Sequence, residues 1–240
     1  MKVKLLAYTP NPEKVVAAAA KLCYGKADID TIMDGLTDEK VTKFLNSLVE
    51  RGHMSPFEHA SFTFGIEDVS RCFLAQMSRH RIASFSVQSQ RYVHDNFGAV
   101  VPEAIKENVG CNDIYKQTIE ALYNIYDGLT ETLQNQYISD GMDAKAAEKK
   151  ATEDARYILP NAACTKMIVT MNARELIHFF NLRCCFRAQQ EIRAVADEML
   201  RQVKEVAPTI FKNAGAPCVS GPCPEGKFSC GHPRGGSNDQ

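Results

Sequence analysis

Short strand-like runs of this chain are separated from one another by helical segments, and this alternation limits the fold more than any other feature. Strand patterns occur at residues 2–8, 58–66 and 163–171. Their dispersion argues against a β-sandwich, and no glycine-rich turn joins a strand to a helix as in a Rossmann unit. The chain is therefore predicted to be an α+β protein, a single mixed domain with long helices packed on a small sheet.

Apolar residues at helical spacing predict the helices of this domain. The predicted segments are 12–23, 38–51, 68–79, 112–139 (as one or two helices), 143–158, 172–183 and 188–206. Asn172 is predicted to cap its helix, with Glu175 as its capping-box partner. Residues 53–57 and 80–91 are predicted to be loops, the second an ordered one, because it holds five Ser or Gln residues and little apolar periodicity.

The charge balance argues against some classes of partner. The 240 residues carry 28 basic and 29 acidic side chains, a formal net charge of −1. A near-neutral chain has no global attraction to nucleic acid or to a membrane surface, so neither is predicted as a partner. The start of the chain does not resemble a signal peptide and no run approaches the ~20 apolar residues of a membrane span, so a cytoplasmic location is expected.

From residue 213 onward the composition changes to Pro, Gly and Cys without periodicity. We expect a main domain over 1–212 and a loosely packed tail over 213–240, whose removal after Asn213 should leave activity nearly intact. Three cysteines and a histidine of the tail are residue types that ligate metals: Cys218, Cys223, Cys230 and His232. Their spacing lacks the C-x2-C of most zinc sites, so no metal site is predicted.

Residues 79–91, RHRIASFSVQSQR, concentrate basic side chains. Arg79, His80, Arg81 and Arg91 place up to four cations within thirteen residues, with no lysine and no acidic residue among them. Arginine suits bidentate binding of phosphate, and serine hydroxyls and loop amides complete such a site. The alternative is a solvated basic loop, but the residue types favour an anion-binding site.

The pattern RHR-x2-S-x4-S-x-R in this segment resembles the signature of the flavin-dependent thymidylate synthase family. His53 and Ser55 precede it at the spacing of that family. The stretches RYILPNA (156–162) and NARELIHFFNLR (172–183) are similar to two further blocks of the family. The resemblance covers about residues 1–206 and leaves out the tail.

The resemblance implies an enzyme, a methyltransferase that makes dTMP. A methylene group would pass from 5,10-methylenetetrahydrofolate to C5 of dUMP, and FADH2, regenerated by NADPH, would supply the hydride that reduces it to methyl. Tetrahydrofolate would be the second product, with FAD carrying the redox chemistry. The resemblance also implies a homotetramer whose sites are shared between subunits.

The resemblance further implies site residues. FAD would contact His53, Ser55, Arg79, His80, Arg81, Val87, Asn172, Ala173, Arg174 and His178. The substrate dUMP would contact Gln76, Met77, Ser78, Arg79, Val87, Gln88, Ser89, Gln90, Arg91, Arg156 and Arg183. Arg183 is the implied catalytic residue, because a guanidinium beside the uracil ring would stabilise developing negative charge and make C5 a better nucleophile.

Two residues of the basic segment depart from the family pattern, and a third is compatible with two roles. Ser86 stands where the family commonly has Asn, and Val87 stands where some members have Glu, so Val87 can contribute only its backbone. Ser89 could be a nucleophile or a phosphate ligand. A serine nucleophile needs a base in reach, and cations depress the basicity of His80, the histidine of the same basic segment, so the ligand role is favoured.

Two other classes of protein are compatible with the residues alone. The basic loop could hold RNA or another phosphate ligand without chemistry, or the tail could build a small metal-binding regulatory protein. The near-neutral charge and the few aromatic residues near the loop argue against the first. The colour of the purified protein would distinguish the enzyme from these two classes, since only the enzyme should be yellow and contain a releasable flavin.

Overall fold

A computed structural model describes residues 1–94 and 97–234, and among them lies a small four-stranded antiparallel sheet. The strands are β1 (Lys2–Tyr8), β2 (Ser61–Ser70), β3 (Ala83–Val87) and β4 (Cys164–Asn172), in the spatial order β1-β2-β4-β3. On β2, Phe62, Phe64 and Ile66 are fully buried at every second position, as expected of a strand with one face in the core. The predicted α+β class is confirmed.

Strand β2 is longer than the sequence predicted. It runs from Ser61 to Ser70 and passes through Asp68, whose φ of 57° is left-handed. The next helix, α4, is therefore only Arg71–Met77 rather than 68–79. Ser70 fixes its start, because its hydroxyl accepts a hydrogen bond from the amide of Phe73 at 3.0 Å. Residues 68–70 therefore belong to the strand, where Val69 and Ser70 are buried.

The segment 80–91, predicted to be a loop, contains strand β3. This strand lies at the edge of the sheet beside β4, and its residues alternate between half-buried and exposed positions. An edge strand with a solvated face tolerates serine at several positions, so its apolar alternation is weak. The loop prediction is wrong for residues 83–87 for this reason.

Helices form much of the remaining described chain. Their bounds are α1 (Pro12–Leu22), α2 (Ile29–Asp34), α3 (Asp38–Glu50), α5 (Glu103–Lys106), α6 (Val109–Ser139), α7 (Ala144–Ala155), α8 (Ala173–Arg183) and α9 (Gln190–Val206). Asn172 caps α8 as predicted, its Oδ1 accepting from the amide of Glu175 at 2.8 Å. Helices α2 and α5 were missed because six and four residues are too few to show a period. Within the described ranges, no helix is both long and apolar enough to cross a membrane.

The described chain forms two compact units. Unit 1 comprises residues 1–66, 76–85 and 168 onward, and unit 2 comprises residues 67–75 and 86–167. In unit 1, Phe211 makes edge-to-face contacts with Phe62 and Phe180, at ring-centroid distances of 5.3 and 6.0 Å. In unit 2, Tyr123 and Tyr126 of α6 form a buried cluster with Ala155 of α7. The domain boundary placed at residue 212 does not coincide with this division and stays a prediction.

Residues 213–234, the described part of the tail, make specific contacts within unit 1. Ala214 and Ala216 are buried. Nη1 of Arg234 lies 2.6 Å from Oδ1 of Asp197 on α9, and Arg187 pairs with Glu225 at 2.5 Å. A loosely packed extension would not make these contacts, so that expectation does not hold for this part. The rest of the tail lies outside the described residues.

Candidate active site

The basic segment is divided between the two units. Arg79, His80 and Arg81 belong to unit 1, whereas Gln88 to Arg91 belong to unit 2. The two halves therefore have different neighbours, and each forms its own polar cluster.

His80 is the buried centre of the unit 1 cluster. It follows α4, where its amide donates to the carbonyl of Met77 at 3.1 Å, and only 6% of its surface is exposed. Its Nδ1 lies 3.3 Å from Oε1 of Glu175, and Nε of Arg183 donates to its Nε2 at 3.2 Å. Burial, and after it the positive charges of Arg183 and His178, lowers the pKa of His80 to about 4. The imidazole is therefore neutral at neutral pH.

Arg79 and Arg183 bring two guanidinium groups near each other. Arg183 is the half-buried last residue of α8, and burial together with the charge of Arg79 lowers its pKa. Within the described ranges, neither arginine is paired with a carboxylate, since the partner of Arg183 is the neutral ring of His80. Like charges without a counter-ion mark a place where an anion would be stabilised.

Arg174 and His178 lie one turn apart on the exposed side of α8. Nη1 of Arg174 is 2.6 Å from Oε1 of Glu58, which belongs to the 3-10 helix that begins at Ser55. An exposed pair of this kind contributes only about 0.2–1 kcal/mol, so an anionic ligand can exchange for Glu58 at little cost. The ring of His178 lies 6.2 Å from that of His80. The predicted flavin residues on α8 therefore border the His80 cluster.

The three residues before the RHR triplet differ in what they can offer a ligand. The side chain of Gln76 donates a hydrogen bond to Gln189, and Ser78 is exposed. Met77 is completely buried. A contact between Met77 and a substrate is therefore limited to the main chain.

The unit 2 cluster is built around Ser89, Gln90 and Arg91. The hydroxyl of Ser89 accepts from the amide of Arg91 at 3.1 Å. Gln90 is buried, and its Oε1 accepts from Nη2 of Arg71 at 2.7 Å. The first bond fixes the turn that follows β3, and the second joins the buried amide of Gln90 to the start of α4.

Arg91 has an acidic partner, although its own segment contains none. Its Nη2 lies 2.9 Å from Oε2 of Glu153 on α7. His80 is likewise in contact with a carboxylate, that of Glu175. The absence of acidic residues from the segment therefore does not leave His80 and Arg91 without carboxylate partners, because these come from distant helices. Nε of Arg91 is buried without a partner in the described chain, which leaves one donor for a ligand.

Arg71 belongs to this cluster, and sequence reasoning missed it. Burial and the nearby charge of Arg156 lower its pKa, so these two arginines form a second pair of like charges. Arg71 is the first residue of α4, where a positive charge opposes the helix dipole. An arginine at this unfavourable position was the signal that could have identified Arg71 as a functional residue. The predicted helix start at residue 68 concealed it, because Arg71 was then not the first residue of the helix.

His53 precedes, and Ser55 begins, the 3-10 helix whose Glu58 pairs with Arg174 of α8. Both are exposed, and His53 lines a cleft of about 630 Å³ in unit 1 together with Lys21 and Arg51. No hydrogen bond or ring contact of the described residues joins either of them to residues 79–81. Their assignment to the same flavin as the triplet stays a prediction.

A second pocket of unit 1, of about 550 Å³, lies where the tail meets the end of α8. Arg183 and Phe186 line one side of it, and the tail contributes Cys218, Cys230 and His232. In the residues that the structure describes, no group of three or more His, Cys, Asp or Glu side chains is placed to hold a metal ion.

Two arginine-rich clusters on an α+β fold have the charge and the donors that suit phosphorylated ligands. A family model described as thymidylate synthase complementing protein matches residues 4–209. The chain is 56% identical over 232 residues to the flavin-dependent thymidylate synthase of Clostridium tetani, an alignment covering 96% of this chain and 93% of the relative. This chain therefore belongs to the thymidylate synthase complementing protein family, that of the flavin-dependent thymidylate synthases.

Other relatives agree with this assignment. The flavin-dependent thymidylate synthases of Geobacter sulfurreducens and Nitratidesulfovibrio vulgaris are 52% and 46% identical, each covering 96% of this chain and 94% of the relative. The enzyme class expected from the RHR pattern is thereby confirmed. Since only 4% of the 240 residues, about ten, fall outside these alignments, the similarity reaches well into the tail, which the motifs left out.

Proposed function

We propose that this chain converts dUMP to dTMP, with 5,10-methylenetetrahydrofolate as carbon donor and FADH2, regenerated by NADPH, as hydride source. The observation that carries the proposal is the pair of uncompensated guanidiniums, Arg79 and Arg183, beside the neutral, buried His80. Such a site stabilises an anion or an electron-rich ring. Membership of the thymidylate synthase complementing protein family supplies the class of reaction.

The unit 1 cluster fits FAD in its charge and its donors. Arg79 and Arg183 lack a carboxylate counter-ion in the described chain, as a pyrophosphate-binding site requires. When bound and reduced by NADPH to FADH2, the cofactor would supply the hydride for the reduction. The residues that would hold it are His53, Ser55, Arg79, His80, Arg81, the backbone of Val87, Asn172, Ala173, Arg174 and His178.

The unit 2 cluster fits a phosphate monoester. Arg71 and Arg156 provide paired positive charge, Ser89 provides a hydroxyl, and Nε of Arg91 is a buried donor without a partner in the described residues. This favours Ser89 as a ligand of the dUMP phosphate, because the cluster contains no histidine that could act as its base. The full set of residues proposed for dUMP is Gln76, Met77, Ser78, Arg79, Val87, Gln88, Ser89, Gln90, Arg91, Arg156 and Arg183.

Arg183 is the proposed catalytic residue. Its Nε is engaged by His80, which leaves the two Nη groups to donate to the uracil carbonyl edge. Donors placed there stabilise the negative charge that develops as C5 attacks the methylene carbon. His80 does not take the C5 proton, because both its nitrogens are engaged and its pKa is lowered to about 4.

We propose a homotetramer in which His53 and Ser55 of one copy meet the RHR triplet of another. This is supported by their exposure and by the lack of a contact with residues 79–81 among the described residues. Light scattering at several protein concentrations tests the assembly. In addition, mixing a His53→Ala variant with an Arg79→Ala variant should restore some activity, because a mixed assembly contains intact shared sites.

The decisive test follows tritium released from C5 of [5-³H]dUMP. Release is expected only when FAD, NADPH and methylenetetrahydrofolate are all present, with dTMP formed in equal amount. Omission of each component in turn serves as the control. If a folded, flavin-loaded sample releases no tritium in the complete mixture, the proposal is wrong.

A further inference from the structure

Three residues on one face of α8 contact the ring of His80. Glu175, Phe179 and Arg183 are spaced four residues apart, so they share a helix face. The ring of Phe179 packs edge-on against the imidazole at a centroid distance of 4.9 Å and an angle of 82°. Glu175 and Arg183 hold the two ring nitrogens. Sequence reasoning gave Glu175 only the role of capping partner, but its carboxylate contacts His80.

The hydrogen-bond donors fix the tautomer of His80. A guanidinium can only donate, so Nε2 must accept from Nε of Arg183 and carries no proton. A neutral imidazole then has its proton on Nδ1, which donates to Oε1 of Glu175. An ionised Glu175 can only accept, so both neighbours favour the same tautomer.

We propose that Glu175 is a positioning residue that holds Arg183 in its working orientation through the neutral ring of His80. This rests on the role of Arg183 in the proposed function. The carboxylate fixes the proton on Nδ1, the fixed tautomer presents a lone pair at Nε2, and that lone pair orients the guanidinium. The Nη groups of Arg183 are thereby aimed by a neutral ring, and no carboxylate contacts the guanidinium within the described residues.

The first test is the Glu175→Gln variant, which preserves shape but removes the negative charge. An amide can also donate, which allows the other tautomer and turns an N–H toward Arg183. We expect kcat for tritium release to fall about 10- to 100-fold, as for the loss of one charge-assisted hydrogen bond, while the flavin spectrum and the unfolding temperature change little. The control is Glu205→Gln on α9, an exposed carboxylate paired with Arg201, which should behave as the wild type.

A double-mutant cycle separates positioning from general damage. If Glu175 acts through Arg183, Glu175→Gln should have at most about a twofold effect in the Arg183→Ala background, for kcat and for the dissociation constant of dUMP measured by calorimetry. Equal effects in both backgrounds would overturn the proposal. Glu175→Asp, which keeps the charge, should retain more activity than Glu175→Gln, and the reverse order would also overturn it.

A spectroscopic test does not depend on turnover. In protein labelled with ¹⁵N-histidine, the His80 signals, assigned by their loss in His80→Gln, should show a neutral ring protonated at Nδ1, and Glu175→Gln should populate the other tautomer. A charged ring or an Nε2 proton in the wild type would disprove the arrangement. If this tautomer is found and no tritium is released, the proposed function fails while the contact geometry stands.

Discussion

At the scale of single residues, buried polar groups determine the chemistry of the site more than its exposed charges do. The sequence indicated that cations would depress the basicity of His80, and in the structure the pKa of His80 is indeed lowered. Burial is nevertheless the larger cause, and the charge of Arg183 comes second. No local pattern shows this burial, because it depends on α8, which lies about a hundred residues further along the chain.

The lowered pKa of His80 makes stability depend on pH. Its pKa is about 4 in the folded protein and near 6.5 in the unfolded chain, so the unfolded state binds more protons between these values. The free energy of unfolding should therefore rise with pH across this window and fall on acidification, by at most about 3 kcal/mol. Glu175 opposes the effect, because its own raised pKa favours proton uptake by the folded state.

Urea denaturation at a series of pH values between 4 and 7 tests this dependence. The His80→Gln variant should show a smaller slope than the wild type in this window, although Glu175, His178 and Arg183 remain. An unchanged slope would mean that other groups control acid stability.

Arg71 should contribute to dUMP binding through its charge beside Arg156. Arg71→Ala is expected to raise KM for dUMP about tenfold or more with a smaller change in kcat, since ground-state phosphate contacts are lost. It also leaves buried Gln90 without its donor, so the unfolding temperature should be measured in parallel. Arg201→Ala on α9 is a suitable control, and an equal KM in both variants would show that Arg71 is structural.

At the scale of secondary-structure elements, strong apolar periodicity was sufficient to predict the bounds of an element, and weak periodicity was not. The bounds of β1, α3 and α9 follow from their apolar spacing to within about two residues. β3 could not be predicted in this way, because an edge strand needs no continuous apolar face. The start of α4 was predicted three residues too early for a different reason, since β2 continues to Ser70 and α4 begins at the next residue, with no Gly or Pro between them.

The cap of α8 offers a test at this scale. Asn172→Ala removes the acceptor for the Glu175 amide and should lower the free energy of unfolding by about 1 kcal/mol, whereas Asn172→Asp should keep the cap. The loss should also reduce activity, because the first turn of α8 carries Glu175. Chemical denaturation of the flavin-free protein measures the effect of the cap on the free energy of unfolding without any contribution from a contact with FAD. Equal free energies of unfolding for Asn172→Ala and Asn172→Asp would argue against the cap.

At the scale of the whole molecule, the family and its reaction could be predicted from one short motif, but the arrangement of the site could not. The RHR pattern identifies ligand types because arginine geometry is specific to them. It does not reveal that its two halves belong to different compact units, or that Glu153 and Glu175 come from distant helices to meet it. Such partners depend on contacts that are distant in sequence, which composition and periodicity do not encode.

The tail was expected from its composition to be dispensable, and the structure changes that expectation. Nine residues between 217 and 233 line the same pocket as Arg183, and the pairs Arg187–Glu225 and Arg234–Asp197 join this segment to the rest of unit 1. Truncation after Ala216 keeps the buried residues Ala214 to Ala216 but opens this pocket to water, which weakens the electrostatic effect of Arg183. We therefore expect kcat/KM for dUMP to fall about tenfold or more, with flavin binding retained.

Truncation after Arg234 is the matched control, because it leaves every contact described for the tail in place, and it should retain wild-type activity. Both shortened proteins should be compared in unfolding temperature, so that a loss of turnover can be distinguished from a loss of folding. Full turnover after removal of residues 217–240 would show that the tail is a neighbour of the site without a part in it. A loss shared equally by both truncations would assign the effect to the last six residues.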